Sequence, residues 1–224
     1  MSHGHDALAI LREKMVQREV IDRGITDERV IEAMLTIPRH AFVDEALSTR
    51  AYGPDALPIG QKQTISKPHT VALMSSLLAP TPDDDVLEIG TGSGYQAAVM
   101  SRLARSVWTI ERIPALIRRA RQVLAKLGLD NVNIVSGDGT VGLPEQGPWT
   151  RIIVTAASPD LPEILFEQLA ERGKMVVPVA EDDGTERLQV VERIHGRRVV
   201  TGSEVCSFVP LIGEDGYRPP NRHS

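Results

Sequence analysis

Short apolar runs of strand length alternate with segments of helical periodicity through the middle of the chain. The runs cover residues 86–89, 106–111, 131–135, 151–155 and 174–179. Between the runs, apolar residues recur at helical spacing, most clearly from Pro114 to Gly128 and again near residues 162–170. This alternation predicts a doubly wound, mostly parallel α/β sheet with right-handed crossovers.

The two ends of the chain carry a different pattern. Residues 6–23 have the composition of a helix, and we expect Thr26 to cap a second helix. Residues 51–66 contain two prolines and two glycines and predict a long loop. Near the C-terminus, residues 188–194 and 197–200 alternate apolar and polar positions about a His-Gly turn, which predicts antiparallel strands at one edge of the sheet.

The length and the patterning together predict a single domain over residues 1–224. We expect N-terminal helices and the long loop in residues 1–79 and an α/β core in residues 80–180. Residues 181–224 are expected to form the hairpin and a tail.

The first apolar run ends in glycines at alternate positions. Glycine lets the backbone turn sharply and lets a ligand approach without interference from a Cβ atom. The fingerprint of dinucleotide sites needs its third glycine one residue later, so the spacing argues against NAD. The run predicts an open backbone shelf for a cofactor without a pyrophosphate, although a purely structural turn is the alternative for so short a motif. The candidate cofactor-binding residues of this loop are Gly90, Thr91, Gly92, Ser93 and Gly94.

Glu88 lies in the strand just before this glycine loop. A carboxylate there would repel a pyrophosphate, but it would suit a cofactor that carries an ammonium group and a sulfonium. The residue therefore favours S-adenosylmethionine as the cofactor, with Glu88 among its binding residues. The alternative is that Glu88 only braces the turn.

Two further acids follow later strands. Glu111 ends the second strand, where a carboxylate can accept hydrogen bonds from the ribose hydroxyls of an adenosine cofactor. It could equally favour the dipole of the helix that Pro114 opens, and both roles are compatible. Asp138 precedes Gly139 after the third strand, in a position to accept from an adenine amino group while the glycine lets the ring approach the backbone. Taken alone, Gly-Asp-Gly is a turn signal.

Ser66 is placed at or just before the start of a helix by the apolar spacing of the residues that follow it. Free N–H groups and the positive end of the helix dipole attract an anion there, and a hydroxyl supplies one more donor. A substrate carboxylate would be held at this point. The alternative is that Ser66 only caps the helix.

Composition narrows the class of protein. The formal net charge is −5, which disfavours nucleic acid as a partner. The chain has one cysteine, no apolar run of membrane-spanning length and no apolar leader, so we expect a cytoplasmic protein that does not bind a membrane. We further expect a monomer, although no sequence feature determines the oligomeric state. No metal is required for the chemistry expected below, because a carboxylate is already ionised at neutral pH and a sulfonium is a strong electrophile.

Several segments together resemble the protein-L-isoaspartate O-methyltransferase family over nearly the whole chain. The resemblance implies a Rossmann-like methyltransferase fold and S-adenosylmethionine as methyl donor, with S-adenosylhomocysteine as product. It implies isoaspartyl-containing proteins and peptides as partners, whose repair the methyl transfer initiates. The segments are Thr64-Ile65-Ser66-x-Pro68, Val86 to Tyr95, Gly137-Asp138-Gly139, Arg151 to Ala157 and Phe208-Val209-Pro210-Leu211.

The same resemblance assigns roles to individual residues. It implies that Ser66 is the active-site residue and that Thr64 and Ile65 bind substrate with it. It assigns the cofactor to the glycine loop, to Glu111 and to the pair Asp138-Gly139.

The sequence departs from the family pattern at two positions. Lys62 stands where a second glycine often precedes the serine segment, which puts the flexibility of that loop in doubt. Thr150 replaces an aspartate that is common before the fourth strand, so no carboxylate can act there.

Other functions share part of this evidence. A methyltransferase acting on a small molecule or on RNA would keep the cofactor motifs but would not need the serine segment. A non-catalytic binding module should tolerate an eroded glycine loop, whereas here the loop, Glu111 and Asp138 are all present.

Overall fold

A computed structural model describes residues 3–218 of the chain. Its centre is a seven-stranded sheet with the strand order β5-β4-β3-β6-β7-β8-β9. The strands from β3 to β7 run parallel to their neighbours, and β8 and β9 are antiparallel. The strands of this sheet are β3 (Asp85–Ile89), β4 (Ser106–Glu111), β5 (Val132–Ser136), β6 (Trp149–Val154), β7 (Leu169–Ala180), β8 (Glu186–Ile194) and β9 (Arg197–Cys206). The predicted α/β class, with antiparallel strands at one edge, is confirmed.

Helices connect the strands and cover the N-terminal part of the chain. They are α1 (His3–Val16), α2 (Glu28–Thr36), α3 (Pro68–Leu78), α4 (Tyr95–Met100), α5 (Pro114–Lys126) and α6 (Glu163–Glu167). A π-helix (Gln17–Ile21) follows α1, and short 3-10 helices include Arg39–Phe42 and Arg50–Tyr52. No helix of residues 3–218 is both long enough and apolar enough to span a bilayer.

Successive strand residues face two separate apolar layers, as the period of two in a strand requires. Val86 and Ile153 pack with the N-terminal helices and with α3, α4 and α5. Leu87 and Ile152 face the other side and pack with α6. Because both faces are covered, the central strands are apolar at nearly every position.

Three predicted features differ in detail from the structure. The cap of α2 is Asp27 and not Thr26, because the Asp27 carboxylate accepts from the backbone N–H groups of Arg29 and Val30. The helix predicted near residues 162–170 is only one turn long, and β7 begins five positions before the predicted residue 174, at Leu169.

The segment predicted as a loop at residues 51–66 contains a two-stranded hairpin. Its strands are β1 (Leu57–Gly60) and β2 (Gln63–Ile65), which pair antiparallel. Gln61 and Lys62 form the turn with φ angles of +54° and +58°. Both residues are in the left-handed region, where a glycine would be free of strain. A glycine that is frequent at position 62 in the family is therefore explained by the turn.

The C-terminal hairpin is where the sequence pattern places it. Strands β8 and β9 are joined by His195 and Gly196, both with positive φ. The Glu171 carboxylate accepts from the backbone N–H groups of both turn residues. His195 is therefore a turn residue.

The order of the parallel strands reverses between β3 and β6. Chain order runs outward from β3 through β4 to β5 on one side, and from β6 to β7 on the other. In open α/β sheets, ligands bind at such a switch point, beyond the carboxyl ends of the strands. The glycine loop leaves β3 at this point.

Candidate active site

A cleft lies beyond the carboxyl ends of β3, β4 and β6. Its volume is about 840 Å³, including the part that is open to solvent, which is in the range of small-molecule sites. The cleft is bordered by the glycine loop and Glu111, by the serine segment and by the C-terminal segment 209–212. The cleft therefore brings together the two motifs that the sequence places more than twenty positions apart.

Backbone hydrogen bonds fix the glycine loop to its neighbouring strands. The N–H groups of Gly90 and Thr91 donate to Ile110 O at 2.9 and 3.1 Å. On the other side, Thr155 Oγ1 donates to Gly90 O at 2.7 Å. All three loop glycines have positive φ, with +95° at Gly90. The loop is thus held between β4 and β6.

Two glycines keep the floor of the cleft open. A Cβ atom at Gly90 would lie 2.7 Å from Thr155 Oγ1, and one at Gly139 would lie 2.6 Å from Ile89 Cγ2. Neither distance is compatible with a side chain. The backbone at these two positions therefore forms a smooth cradle against which a flat group can lie.

Glu111 is pre-arranged by three backbone N–H groups. Its Oε1 accepts from Arg112 N and Ile113 N at 2.8 and 2.9 Å, and its Oε2 accepts from Gly92 N at 2.9 Å. The residue is only 7% exposed, yet it borders the cleft. One lone pair of Oε2 remains, which suits a hydroxyl donor such as that of a ribose. Its second predicted role, at the start of α5, is compatible with these contacts because Ile113 is the N-cap residue of that helix.

Glu88 lies one layer behind the cleft and does not border it. The side chain is fully buried, and Thr109 Oγ1 donates to Oε2 of its carboxyl group. Thr91 Oγ1 lies 2.7 Å from Thr109 Oγ1, so the chain of contacts reaches the glycine loop. Burial raises the pKa of Glu88 to about 8. These contacts correspond to the bracing role, and direct binding of the cofactor by Glu88 stays a prediction.

Asp138 holds the C-terminal segment. Its Oδ1 accepts from Thr140 N and Thr140 Oγ1 at 2.9 and 2.7 Å, and its Oδ2 accepts from Glu214 N at 2.8 Å. Burial raises its pKa, but the hydrogen bonds from Thr140 and Glu214 outweigh this, and the pKa lies below its usual range. Asp138 lines a depression that adjoins the main cleft through Arg112 and Ile212. Only one lone pair of Oδ2 is left for an adenine amino group, so that contact stays a prediction.

Ser66 borders the cleft one residue before the N-cap of α3. The N-cap is Lys67, and no side chain caps the helix. Within residues 3–218, the Ser66 hydroxyl forms no hydrogen bond, so it does not perform the capping role. The hydroxyl is therefore available to a ligand in the cleft.

The remaining predicted site residues also lie around the cleft. Thr64 and Ile65 border it from strand β2, with Ile65 buried and Thr64 exposed. Thr91, Gly92 and Ser93 border it from the glycine loop. Gly94 does not border the cleft. A Cβ atom there would come within 3.3 Å of Ala120 Cβ, so this glycine allows α5 to pack closely.

Sequence reasoning assigned no role to two residues that organise the site. Thr155 holds the glycine loop and borders the cleft, and its position at the end of an apolar run was the available signal. Arg39 lies outside the cleft, and its Nη2 donates to Ser66 O at 2.7 Å. A single arginine in a polar stretch carries no comparable signal.

The cleft combines an anion-binding segment with a cradle for an adenosine-like group. The donor set has a carboxylate for hydroxyls, backbone at Gly139 for a flat ring, and a free hydroxyl near a helix start for a carboxylate. These residues fit S-adenosylmethionine, whose adenosine and methionine parts need such contacts.

Known proteins of one family are similar to nearly the whole chain. Residues 11–216 match the family model described as Protein-L-isoaspartate(D-aspartate) O-methyltransferase (PCMT). A protein-L-isoaspartate O-methyltransferase of Trichlorobacter lovleyi is 50% identical over 209 residues, which make up 93% of this chain and 96% of that relative.

Solved structures give the same result. A protein-L-isoaspartate O-methyltransferase superposes with a TM-score of 0.82 at 29% identity, over 92% of this chain and 67% of that chain. A Plasmodium falciparum protein described as an enzyme of the same kind was solved in complex with S-adenosyl-L-homocysteine. It superposes with a TM-score of 0.80 at 26% identity, over 90% of this chain and 98% of that chain.

Proposed function

Because the chain belongs to the protein-L-isoaspartate(D-aspartate) O-methyltransferase family, we propose that Ser66 binds the substrate carboxylate beside a cofactor held by the glycine loop and Glu111. The chain is a methyltransferase that uses S-adenosylmethionine. It methylates the free carboxylate of isoaspartyl residues in damaged proteins and peptides, which initiates their repair.

The observation that carries the role of Ser66 is the free hydroxyl in the cleft. This hydroxyl borders the same space as Gly90, Gly92 and Glu111, and it has no hydrogen-bond partner within residues 3–218. It lies beside the start of α3, where unpaired backbone N–H groups favour an anion. This part of the cleft therefore offers donors to a carboxylate.

Ser66 acts here as a donor and not as a nucleophile. A nucleophilic serine needs a base within hydrogen-bond reach, and in the part of the chain described here no such group contacts the hydroxyl. The isoaspartyl carboxylate is itself ionised at neutral pH and needs no base. Catalysis then depends on the position of that carboxylate, which can account for several kcal/mol of the barrier.

The cofactor half supplies orientation. Glu111 would accept from a ribose hydroxyl, and Gly139 would let the adenine ring lie against the backbone. When bound, S-adenosylmethionine supplies the methyl group that is transferred to the carboxylate oxygen. The residues of this chain would hold the acceptor carboxylate in line with that methyl group.

Methyl transfer to a matched pair of peptides tests the function. The peptides differ only in an isoaspartyl or a normal aspartyl linkage, and the cofactor carries a radioactive methyl group. We expect base-labile label on the isoaspartyl peptide alone. Equal labelling of both peptides would contradict the specificity. Label on neither, with S-adenosylhomocysteine still bound, would redirect the search to small-molecule and RNA substrates.

The protein is further proposed to act as a cytoplasmic monomer that binds neither nucleic acid nor a membrane. The net charge of −5 disfavours nucleic acid as a partner, and the single half-buried cysteine is typical of a reducing compartment. Light scattering on a size-exclusion column should give the monomer mass of 24.5 kDa. A mass that doubles at micromolar concentration would contradict it.

A further inference from the structure

Arg39 is a fully buried cation. It opens the 3-10 helix Arg39–Phe42 and is 0% exposed. Among the side chains that the structure describes, no carboxylate forms an ion pair with it. Burial lowers the pKa of Arg39 to about 10, so the guanidinium is still charged at neutral pH. Burying such a charge has a large desolvation penalty, which the hydrogen bonds of the guanidinium must offset.

The guanidinium contacts both ends of segment 51–66, which carries the β1–β2 hairpin. Arg39 Nε donates to Ala51 O at 2.8 Å, and Arg39 Nη2 donates to Ser66 O at 2.7 Å. Both nitrogens belong to one rigid planar group. Arg39 therefore fixes the distance between the first and the last residue of the segment.

The same side chain also contacts the cofactor half of the site. Its Cζ lies 4.8 Å from the centre of the Tyr95 ring, a cation–π distance. Tyr95 is the first residue of α4, directly after the glycine loop, and borders the cleft. Phe42, from the same 3-10 helix, packs edge-on against that ring at 5.4 Å. One short helix thus contacts both the serine segment and the end of the glycine loop.

We propose that Arg39 is a positioning residue that closes segment 51–66 and holds Ser66 toward the cofactor half of the cleft. Arg39 does not itself border the cleft, so it acts on the substrate only through Ser66 and its neighbours. The role of Arg39 rests on the function proposed above for Ser66. A side chain that served stability alone would have no reason to couple to the Ser66 hydroxyl.

Substitution by lysine separates these roles. Arg39→Lys keeps the positive charge and most of the stem, but an ammonium group cannot span two carbonyl groups as a planar fork does. We expect S-adenosylhomocysteine to bind with a Kd within about threefold of the wild-type value. The hydrogen bonds that hold the glycine loop to β4 and β6 do not involve Arg39, and lysine keeps a positive charge beside Tyr95. We expect kcat/KM for an isoaspartyl peptide to fall about 10- to 100-fold, because Ser66 is displaced from its position.

Incomplete folding is controlled in the same experiment. Calorimetric titration with S-adenosylhomocysteine counts the folded sites, and kcat is expressed per site. Arg39→Gln, which retains a planar donor group, serves as the second variant and should lose activity per site in the same direction. The matched control is Arg29→Lys, because Arg29 Nη1 also donates to a loop carbonyl, Pro80 O, at 2.7 Å, and Arg29 lies outside the cleft. It should match the wild type in kcat/KM.

A double-mutant cycle with Ser66→Ala shows whether Arg39 acts through the serine. In the Ser66→Ala background, Arg39→Lys should change kcat/KM by less than about threefold, because the hydroxyl that it positions is gone. Losses that multiply in the double variant, or an Arg39→Lys enzyme with wild-type kcat/KM, would overturn the proposal. If Ser66→Ala alone has full activity, the proposed role of Ser66 is wrong. The proposal that Arg39 acts through Ser66 is then also wrong. A large loss of kcat/KM in Arg39→Lys would in that case indicate that Arg39 acts through its contact with Tyr95.

Discussion

The two halves of the cleft are held in place by different means. On the cofactor half, the glycine loop is bonded to β4 through Gly90 N and to β6 through Thr155, and the Glu111 carboxylate fixes Gly92 N. On the substrate half, segment 51–66 forms its own hairpin. Arg39 donates to the carbonyl groups at both of its ends, and Arg119 Nη1 donates to Ile59 O within it. The strands of the sheet therefore hold the first half, whereas one guanidinium joins the two ends of the second half.

Because the two halves are held differently, we expect them to respond differently to substitution. Damage to the cofactor half should reduce affinity for the cofactor, because the binding groups are themselves the groups that hold the loop. Damage to the substrate half should leave cofactor binding intact and reduce the use of peptide. The following variants test that separation, beginning with the largest expected effect.

Glu111→Ala should cause the largest loss on the cofactor half. The substitution removes the ribose acceptor and leaves the N–H groups of Gly92, Arg112 and Ile113 without their partner. Each lost hydrogen bond to a charged group is worth about 1.5–3 kcal/mol, so Kd for S-adenosylhomocysteine should rise by about 100-fold or more. Calorimetric titration with S-adenosylhomocysteine measures this Kd.

Glu171→Ala is the matched control for Glu111. Glu171 also accepts from two backbone N–H groups, those of His195 and Gly196, but in the distant hairpin turn. Its Kd for S-adenosylhomocysteine should equal the wild-type value. Equal losses of cofactor affinity in both variants would show that the effect comes from general destabilisation, which would contradict the role given to Glu111.

Gly90→Ala should weaken cofactor binding somewhat less. The new Cβ atom would meet Thr155 Oγ1 at 2.7 Å, and a non-glycine residue at φ of +95° is strained by about 1–2 kcal/mol. We expect Kd for S-adenosylhomocysteine to rise about 30-fold from this clash and strain together.

Gly196→Ala provides the control for backbone strain alone. Gly196 also has positive φ, but a Cβ atom there would meet nothing within 4 Å. This variant should lose stability and keep its cofactor affinity. A Gly90→Ala enzyme with wild-type affinity for S-adenosylhomocysteine would show that cofactor binding does not require the hydrogen bond between Thr155 and the glycine loop.

Glu88→Gln should change how stability depends on pH. Because burial raises the pKa of Glu88 to about 8, above its unfolded value, the folded state binds more protons between the two values. The free energy of unfolding therefore falls as the pH rises from about 5 toward 8, by about 2 kcal/mol between pH 6 and 8 from this residue. Glu88→Gln should lack that part of the decline in urea titrations at a series of pH values.

The exposed acid Glu28 provides the control for Glu88. Glu28→Gln should give a stability curve parallel to that of the wild type. A Glu88→Gln curve that also runs parallel to the wild type would show that Glu88 is ionised in the fold. The bracing contact through Thr109 and Thr91 would then involve a carboxylate.

Lys62→Gly should have the smallest effect and a stabilising sign. Lys62 is exposed, lies in the hairpin turn with φ of +58° and does not border the cleft. Removing the left-handed strain should raise the free energy of unfolding by about 1 kcal/mol, with unchanged kcat/KM. A loss of activity would indicate that the lysine side chain contacts the peptide.

The features that the sequence predicted well are local ones. Strand β4 has the predicted bounds Ser106–Glu111, because an apolar run ends at an acid and a proline follows. Helix α5 begins at the predicted Pro114, because proline is favoured at that position. The glycine loop was placed correctly because its spacing alone determines the turn.

The features that the sequence did not predict depend on distant contacts. The β1–β2 hairpin was missed because Gln61 and Lys62 are not typical turn residues. The contact between Asp138 and Glu214 N joins residues far apart in the chain, so no local pattern reports it. Arg39 was missed for the same reason, because its partners at Ala51 and Ser66 come together only in the folded protein.

The most direct test of the two-half site is Ser66→Ala, assayed for peptide methylation and for cofactor binding in parallel. We predict that kcat/KM for an isoaspartyl peptide falls about 10- to 100-fold, since a hydrogen bond to a charged group is lost, while Kd for S-adenosylhomocysteine stays within about twofold. Ser48→Ala, in the turn after Leu47 and outside the cleft, should match the wild type in both. Full activity of Ser66→Ala with unchanged peptide affinity would contradict the assignment of the substrate half.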